Sequence, residues 1–297
     1  MKNEKPLVSV GVPVFNEERY IMETLSSIKA QTYHPIEVII SDNHSTDGTW
    51  NIIQPFINSD DRFRAVRQSE NTDGYNWIYV LEQAKGEYFI WIAGHDLWAP
   101  DMIESCVNEM MENPNIVLCA PQTKWIDMEG GAIESPLENI NTSTASTPAG
   151  RALLMYKRMK RCNAIYGLFR RKFFLYALPF PKVVGNDFII LMRIASLGDV
   201  KTIQDTCWYR RKNREVETRD ETVKRQINVI GIHGLAARYP YIVSRLIFMN
   251  EFLKFKGSLF DRTNLLLYAA WKLFFVPAQF NILFKEFLRG TFAYLRK

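Results

Sequence analysis

Along the first hundred residues, short apolar runs alternate with stretches whose apolar positions recur every three or four residues. Residues 7–14 (LVSVGVPV) form a β-branched run closing at Pro13 and predict a buried parallel strand. Residues 18–30 carry Ile21, Leu25 and Ile28 at helical spacing, with Glu17 and Glu18 at the start, where a helix dipole favours acids. Residues 37–41 (EVIIS) predict a second buried strand ending at Asp42, and Asp47-Gly48-Thr49 a turn feeding a helix that includes Trp50 and Ile53. Residues 63–67 predict a third strand, 71–74 a loop, 77–84 a helix capped by Lys85-Gly86, and 88–93 (YFIWIA) a fourth strand ending at Gly94-His95-Asp96. This alternation with short connections predicts an α/β domain whose mostly parallel sheet is flanked by helices. Ligands of such sheets bind beyond the carboxyl ends of the strands, and Pro13 through Glu17, Asp42 and Asp96 all fall there.

Beyond residue 100 the pattern loosens. Residues 116–120 predict a strand, and 139–148 (NINTSTASTP) a mobile polar surface loop. Residues 151–161 read as a basic helix, 165–170 as a strand or a loop, 188–196 as a helix ended by Gly198, and 200–203 and 207–209 as two short strands. Residues 210–225 are highly charged, and from Ile227 onward the pattern is mainly helical, without internal repeats.

Composition narrows the class. With 297 residues, 47% apolar and 23% charged, the chain has room for one large domain or two modest ones and is neither disordered nor low-complexity. The polar start running straight into a strand predicts no secretory leader. The scattered Cys106, Cys119, Cys162 and Cys207 form no CxxC pair or zinc spacing and read as reduced thiols of a cytosolic protein, mostly buried.

The net charge of +5 conceals an asymmetry: residues 1–149 carry 9 Lys/Arg against 22 Asp/Glu, and residues 150–297 carry 28 against 10. The basic half has no zinc finger, RNP-type motif or lysine-rich tail, so nucleic acid is not an expected partner. From Tyr241 on there are 9 Lys/Arg against 3 acids and 14 of the chain's 39 aromatics, the composition of a helix lying on a membrane. Residues 263–284 are nearly long enough to span, but Lys272 sits near the middle and Pro277 would kink them. The expectation is an in-plane helix pair over residues 241–297 that is separable from residues 1–215. Lys254, Lys256, Lys285, Arg289, Arg296 and Lys297 would meet the phosphates of an anionic membrane surface. A helical subdomain packed on the core, or a homo-oligomer interface, is the alternative.

Four pieces then stand in order: VSVGVPVFNE (8–17), VIISDNHSTDGT (38–49), AKGEYFIW with HDLWAP (84–91 and 95–100), and GNDF with WYRR (185–188 and 208–211). They resemble the inverting family 2 glycosyltransferases with the GT-A fold, over roughly residues 7–215; the first two pieces are highly specific, the later ones shorter. The resemblance implies a Rossmann-like GT-A catalytic domain over residues 1–225, with a nucleotide-sugar half about 1–100 and an acceptor half about 101–225, followed by a helical, basic-aromatic, membrane-associating extension over 226–297. It implies transfer of a sugar from a UDP- or dTDP-sugar to a hydroxyl of a glycan or polyprenyl-diphosphate-linked acceptor in surface polysaccharide biosynthesis. The implied setting is the cytoplasm, at the inner face of the membrane.

Residue by residue, the resemblance assigns Asp42 to the imide nitrogen of the base, with Pro13, Phe15 and Glu17 lining the pocket. Arg67, Asn71 and Gly74 approach the nucleotide, and His95 the ribose or phosphate. Asp96, the last acid of the family's D-x-D element, is the ligand for Mn2+ or Mg2+, ions that can use one carboxylate plus phosphates and water. Asp187 removes the acceptor hydroxyl's proton. One carboxylate suffices, because metal and cations stabilise the departing diphosphate. Arg210, Arg211 and Lys212 hold that diphosphate or belong to a lid over residues 210–219.

Each residue also has a plainer reading: Asp42 and Asp187 as helix or loop caps, His95 as a loop histidine, the Arg-Arg-Lys run as a solvated loop. The chain departs from the pattern twice. Gly94-His95-Asp96 lacks the first acid, and Lys212 stands where some relatives carry His. Both feed a competing reading, a catalytically weak or inactive relative acting as a nucleotide-binding or membrane scaffold. A nucleotidyltransferase would instead show a glycine-rich basic loop after the first strand, where this chain has Phe15-Asn16-Glu17-Glu18.

Overall fold

The first two strands bury β-branched residues on both faces and so pair in parallel within the sheet. In the computed structural model, which describes residues 5–213, 218–274 and 282–287, β1 (Val8–Val14) is buried at every position and lies parallel to both β2 (Ile36–Asp42) and β4 (Tyr88–Trp91). β3 (Phe63–Arg67) adds to the outer side of β2. Helices α1 (Ile21–Lys29), α2 (Thr49–Ser59) and α3 (Tyr75–Glu82) connect them.

The second half extends the same sheet. After β5 (Leu97–Trp98) come α4 (Met102–Glu112), β6 (Ile116–Ile126), β7 (Ala132–Ile133), α5 (Pro148–Arg158), a 3-10 turn (Asn163–Tyr166), β8 (Leu168–Arg170), α6 (Arg171–Ala177), α7 (Asn186–Leu197) and β9 (Asp199–Arg211). The nine strands are ordered β3-β2-β1-β4-β8-β6-β9-β5, with β7 paired to β6 alone. The pairs β4–β8, β6–β8 and β5–β9 are antiparallel, and β6–β9 is parallel. This is the mostly parallel, helix-flanked α/β sheet expected from the sequence.

Two apolar layers sandwich the sheet. On one face Val8, Val10, Val12 and Val14 meet Ile21, Leu25 and Ile28 of α1 and Met102, Cys106 and Met110 of α4. On the other, Phe89 and Trp91 meet Val80 of α3, Phe174 of α6 and Ile190 of α7. Gly11 sits where the second layer presses hardest: a Cβ there would stand 2.7 Å from Val80 Cγ2 and 2.8 Å from Phe89 Cζ. The site region thus rests on a floor with no room for another methyl group.

Several expectations need correction. The predicted strands at 200–203 and 207–209 are one strand, because β9 bulges between Thr202 and Cys207 while keeping its pairing with β6. The polar segment 139–148 is no mobile loop. Ile140 and Thr142 are buried, and the segment straps along β9: Thr202 N–H donates to the Ile140 carbonyl at 2.7 Å and Thr142 N–H to the Val200 carbonyl at 3.0 Å. The threonine hydroxyls accept the reciprocal N–H groups, so the polar composition served an edge pairing. Lys85-Gly86 does not cap α3, which ends at Glu82; Gly86 instead lets its N–H reach Ser9 Oγ at 2.8 Å, where a Cβ would strike the Leu7 carbonyl. Helix α4 went unread although Met102, Cys106 and Met110 recur every four residues.

After β9 the chain is helical: α8 (Arg219–Ile230), α9 (Gly234–Arg238), α10 (Pro240–Lys254) and α11 (Leu259–Phe274). Phe248, Phe252, Phe255 and Leu265 from α10, α11 and their junction share one core with Tyr156 of α5 and Ile189 and Met192 of α7. The helical part therefore covers the α5–α7 surface of the sheet domain. Among the described residues no helix is long and apolar enough to cross a membrane. Pro277, Arg289, Arg296 and Lys297 lie outside the described residues, as do positions 214–217 of the expected lid. Cys106, Cys119 and Cys207 are buried free thiols, and Cys162 is partly buried.

The packing at Gly11 gives a direct test. Gly11→Ala is expected to lower unfolding stability by about 1–3 kcal/mol through overpacking, measured as a drop in the urea midpoint at unchanged slope.

Candidate active site

Three loops at the carboxyl ends of β1, β2 and β4 build one side of the site. The β1–α1 and β2–α2 loops are laced together. Asn16 N–H donates to Ser45 Oγ, Thr46 N–H to Asn16 Oδ1, Glu17 N–H to Thr49 Oγ1, and Gly48 N–H to Glu18 Oε2. Asn16 takes φ 54°, a left-handed conformation that asparagine tolerates, to make both its contacts.

Asp42 is wholly buried at the end of β2. Its Oδ1 accepts the Ser45 N–H at 3.0 Å, so it does cap its own turn. Its Oδ2 accepts no hydrogen bond, and the nearest cation is Arg67 Nε at 3.5 Å. Arg67, at the end of β3, also donates to the Ser45 carbonyl and lies over the Trp50 ring. Pro13 is buried opposite Ser41, while Phe15 projects into solvent. Asn71 is tied to the Asn43 side chain at 2.8 Å. Gly74 backs onto α8, where a Cβ would meet the Val229 carbonyl at 3.0 Å; its small size serves helix packing.

The Gly94-His95-Asp96 turn forms the centre. Gly94 admits Glu17, whose Cγ would lie 2.9 Å from a Cβ there. Glu17 Oε1 then meets His95 Nδ1 at 2.7 Å, which places the imidazole proton on Nδ1, and His95 Nε2 lies 3.9 Å from Asp96 Oδ1. Asp96 is almost fully buried. Burial pushes its carboxyl above the usual carboxylate range, opposed by His95, the Arg211 backbone N–H and Arg210. Trp208 stabilises the charge too, although its indole N–H lies outside hydrogen-bonding geometry.

Arg210 and Arg211 close β9 and point opposite ways, as successive strand residues must. Arg211 is buried: it donates to the His95 and Met128 carbonyls and to Glu23 Oε2 of α1, stacks on Tyr20, and gives its backbone N–H to Asp96 Oδ1 at 2.9 Å. It is a buttress under Asp96, not the diphosphate ligand or lid residue expected from the basic run. Arg210 turns to the other face. Its guanidinium donates to Asn163 Oδ1 at 2.6 Å and lies over Trp125 at 4.7 Å and Trp208 at 5.6 Å. Lys212 is exposed beyond the strand end.

Asp187 enters from α7. Gly185, at φ 75°, caps that helix in the left-handed region that favours glycine. Asp187 follows inside the first turn, while the capping position itself is taken by Gly185. Burial lifts its carboxyl to about 6, with Arg210 holding it from rising further. Tyr166, stacked on Trp208 at 4.6 Å, ties the parts together: burial raises its hydroxyl, and Asp96 and Asp187 both push it up while Arg210 opposes them. Asp96, Asp187, Arg210 and Tyr166 thus share one neighbourhood. Trp125, Asn163 and Tyr166 were missed from sequence; only the aromatic at an otherwise polar strand end, Trp125, offered a signal.

Among the described residues, no three His, Cys, Asp or Glu side chains gather as a metal cage. Asp96 Oδ1 accepts the Arg211 backbone N–H. One carboxylate oxygen is what Mg2+ or Mn2+ needs when phosphates and water complete the shell. The donor set fits a cation shared with a diphosphate rather than one held by protein alone.

Comparison with known proteins places this geometry. The family described as Glycosyl transferase family 2 matches residues 9–174. A Bacillus subtilis (strain 168) protein bearing the name of a teichuronic acid biosynthesis glycosyltransferase, TuaG, is 38% identical over 113 residues, 38% of this chain and 45% of that protein. Escherichia coli chondroitin synthase is 25% identical over 211 residues, 69% of this chain and 29% of that one. The chain spans less than half the length of these relatives. S. aureus TarS 1–349, solved with UDP-GlcNAc, matches with a TM-score of 0.68 at 19% identity, over 91% of this chain and 73% of that one. The mannosyltransferase PcManGT of Pyrobaculum calidifontis, solved with GDP-Man and Mn2+, matches with a TM-score of 0.52 at 17% identity, over 99% and 88%. At such identities these structures speak for the fold, GT-A. With the family match covering more than half of its length, the chain belongs to glycosyl transferase family 2, and its relatives include proteins named for teichuronic acid biosynthesis and for chondroitin synthesis.

Proposed function

We propose that the chain moves a sugar, with inversion, from a UDP- or dTDP-sugar to a hydroxyl of a glycan or polyprenyl-diphosphate-linked acceptor in surface polysaccharide synthesis. The observation that carries this reading is the end of β9, where the Arg211 N–H holds Asp96 Oδ1 at 2.9 Å, Arg210 and Tyr166 both lie on the Trp208 ring, and Arg210 acts on the Asp187 carboxyl. TarS holding UDP-GlcNAc and PcManGT holding GDP-Man with Mn2+ support a nucleotide-sugar donor for this relative.

In this reading the base sits at the end of β2. Asp42 Oδ2 is buried without a hydrogen-bond donor, a costly state. The imide N–H of uracil or thymine would supply the donor as Arg67 yields its place. The diphosphate lies between Asp96 and Arg210, with Lys212 as an outer point charge. A bound Mg2+ or Mn2+ on Asp96 would neutralise charge developing on the leaving diphosphate.

Asp187 acts on the acceptor. As the acceptor oxygen attacks the anomeric carbon, its proton passes to the Asp187 carboxylate. The bond from that carbon to the diphosphate oxygen breaks, and its electron pair leaves with the diphosphate. One displacement gives inversion, and no second carboxylate is required.

Calorimetry with UDP, dTDP, GDP and CDP, each with and without Mn2+, tests the donor site. Metal-dependent binding of UDP or dTDP is the expected outcome; folded protein that binds none of them is a scaffold instead. Asp187→Asn should cut kcat by about 10²–10⁴ with nucleotide affinity unchanged. A collapse of that affinity would make Asp187 structural.

The pH dependence has a defined sign. Asp187 must be ionised to work, so kcat should fall as pH drops through about 6. Arg210→Gln removes the charge that lowers this value and should move the acidic limb to higher pH; a limb that stays put belongs to another group. Because the folded-state value is raised, Asp187 costs stability once pH rises through its folded pKa, so Asp187→Asn should be at least as stable as wild type at pH 7. Arg211→Gln, by contrast, should lower stability by about 1–3 kcal/mol, read from the urea midpoint.

A further inference from the structure

The connection between α10 and α11 presents an apolar tip left exposed among the described residues. Leu253 is 53% exposed, Leu259 82% and Phe260 74%. Leu267 and Trp271 continue the exposed line along α11 at helical spacing from Phe260. Apolar surface of this kind on a folded protein marks a site of interaction.

The charges around the tip decide what it fits. Lys254, Lys256 and Arg262 stand exposed within the same few residues. The acids nearby are engaged by their neighbours: Glu251 is held by Arg193 at 2.9 Å as well as by Lys254 at 2.7 Å, and Asp261 accepts from Thr147 Oγ1 at 2.6 Å and Ser258 Oγ at 2.8 Å. Arg262 donates only to the Leu253 carbonyl, at 3.3 Å, and Lys256 has no acidic partner among the described residues. The outward face is therefore apolar and ringed by positive charge. A second copy docking here by two-fold symmetry would set these cations against themselves. An anionic bilayer complements both features, seating Leu259 and Phe260 at the headgroup boundary and pairing the cations with lipid phosphates.

We infer that the α10–α11 corner docks the protein on an anionic lipid surface. The corner is clamped to the start of α5, where Ala149 N–H donates to the Lys256 carbonyl at 3.0 Å and Thr147 Oγ1 to Asp261. The eleven residues of α5 span about 16 Å and lead to Arg161, which lies over the same Trp125 ring as Arg210. Docking would hold the cleft at that distance from the lipid, within reach of a lipid-linked acceptor. This last step rests on the proposed transferase reaction; the docking does not.

The test is co-sedimentation of the full chain with vesicles of phosphatidylcholine alone and with added phosphatidylserine. Wild type should bind the anionic vesicles roughly tenfold more tightly, with the advantage lost at high salt. The double variant Leu259→Glu, Phe260→Glu and the triple variant Lys254→Gln, Lys256→Gln, Arg262→Gln should each lose that binding, while circular dichroism, melting and nucleotide affinity stay at wild type. Wild type that remains in the supernatant, or variants that still sediment, would overturn the inference. So would a dimer, seen by analytical ultracentrifugation, that the double variant dissociates. Loss of nucleotide binding with vesicle binding intact would count against the transferase reading alone.

Discussion

The site depends on one buried cation. Arg211 carries a charge that no pH in the physiological range removes, and the fold answers it with the Glu23 carboxylate, two main-chain carbonyls and the face of Tyr20. Those partners come from α1, from the His95 turn and from the start of the β6–β7 hairpin. A single side chain therefore ties these three segments together. The Arg211 backbone N–H also holds the Asp96 carboxylate of that same His95 turn. Once Arg211 points inward, the two-residue period of the strand sends Arg210 to the opposite face, between Trp125 and Trp208. The placement of the cleft's central cation thus follows from the burial of its neighbour.

The strand ends were legible in the sequence because buried parallel strands are written as apolar runs, and Asp42 and Asp96 interrupt those runs. The pairing of roles within Arg210-Arg211-Lys212 was not legible. A run of three cations looks solvated until it is known to end a strand, and the bulge after Thr202 hid how long that strand is. The strap at 139–148 failed for a related reason: threonine hydroxyls can complete a sheet edge, so a polar segment is not by that fact a mobile one. Asp187 was singled out through its motif, and the structure puts Gly185, not Asp187, at the capping position of its helix. The partners of Arg210 lie far from it in sequence, on β6 and on the 3-10 turn, and no local pattern reports such a meeting.

Charge along the chain and charge at the site tell different stories. Asp187 lies in the half of the chain where 28 Lys/Arg face 10 acids, and a field of that sign should ease its ionisation. Its carboxyl nevertheless stands near 6, because most of those cations are separated from it by solvent that screens them within about 10 Å at moderate salt, whereas burial acts on the group directly. Arg210 is the cation the structure places close enough to oppose that burial. Asp96 obeys the same balance with more opposing partners, yet burial prevails there as well. Two carboxylates from opposite-signed halves of the chain therefore arrive with the same perturbation and the same neutralising neighbour. Both are poorly solvated carboxylates whose charged forms the Arg210 guanidinium favours, with His95 and the Arg211 backbone N–H adding to its effect on Asp96.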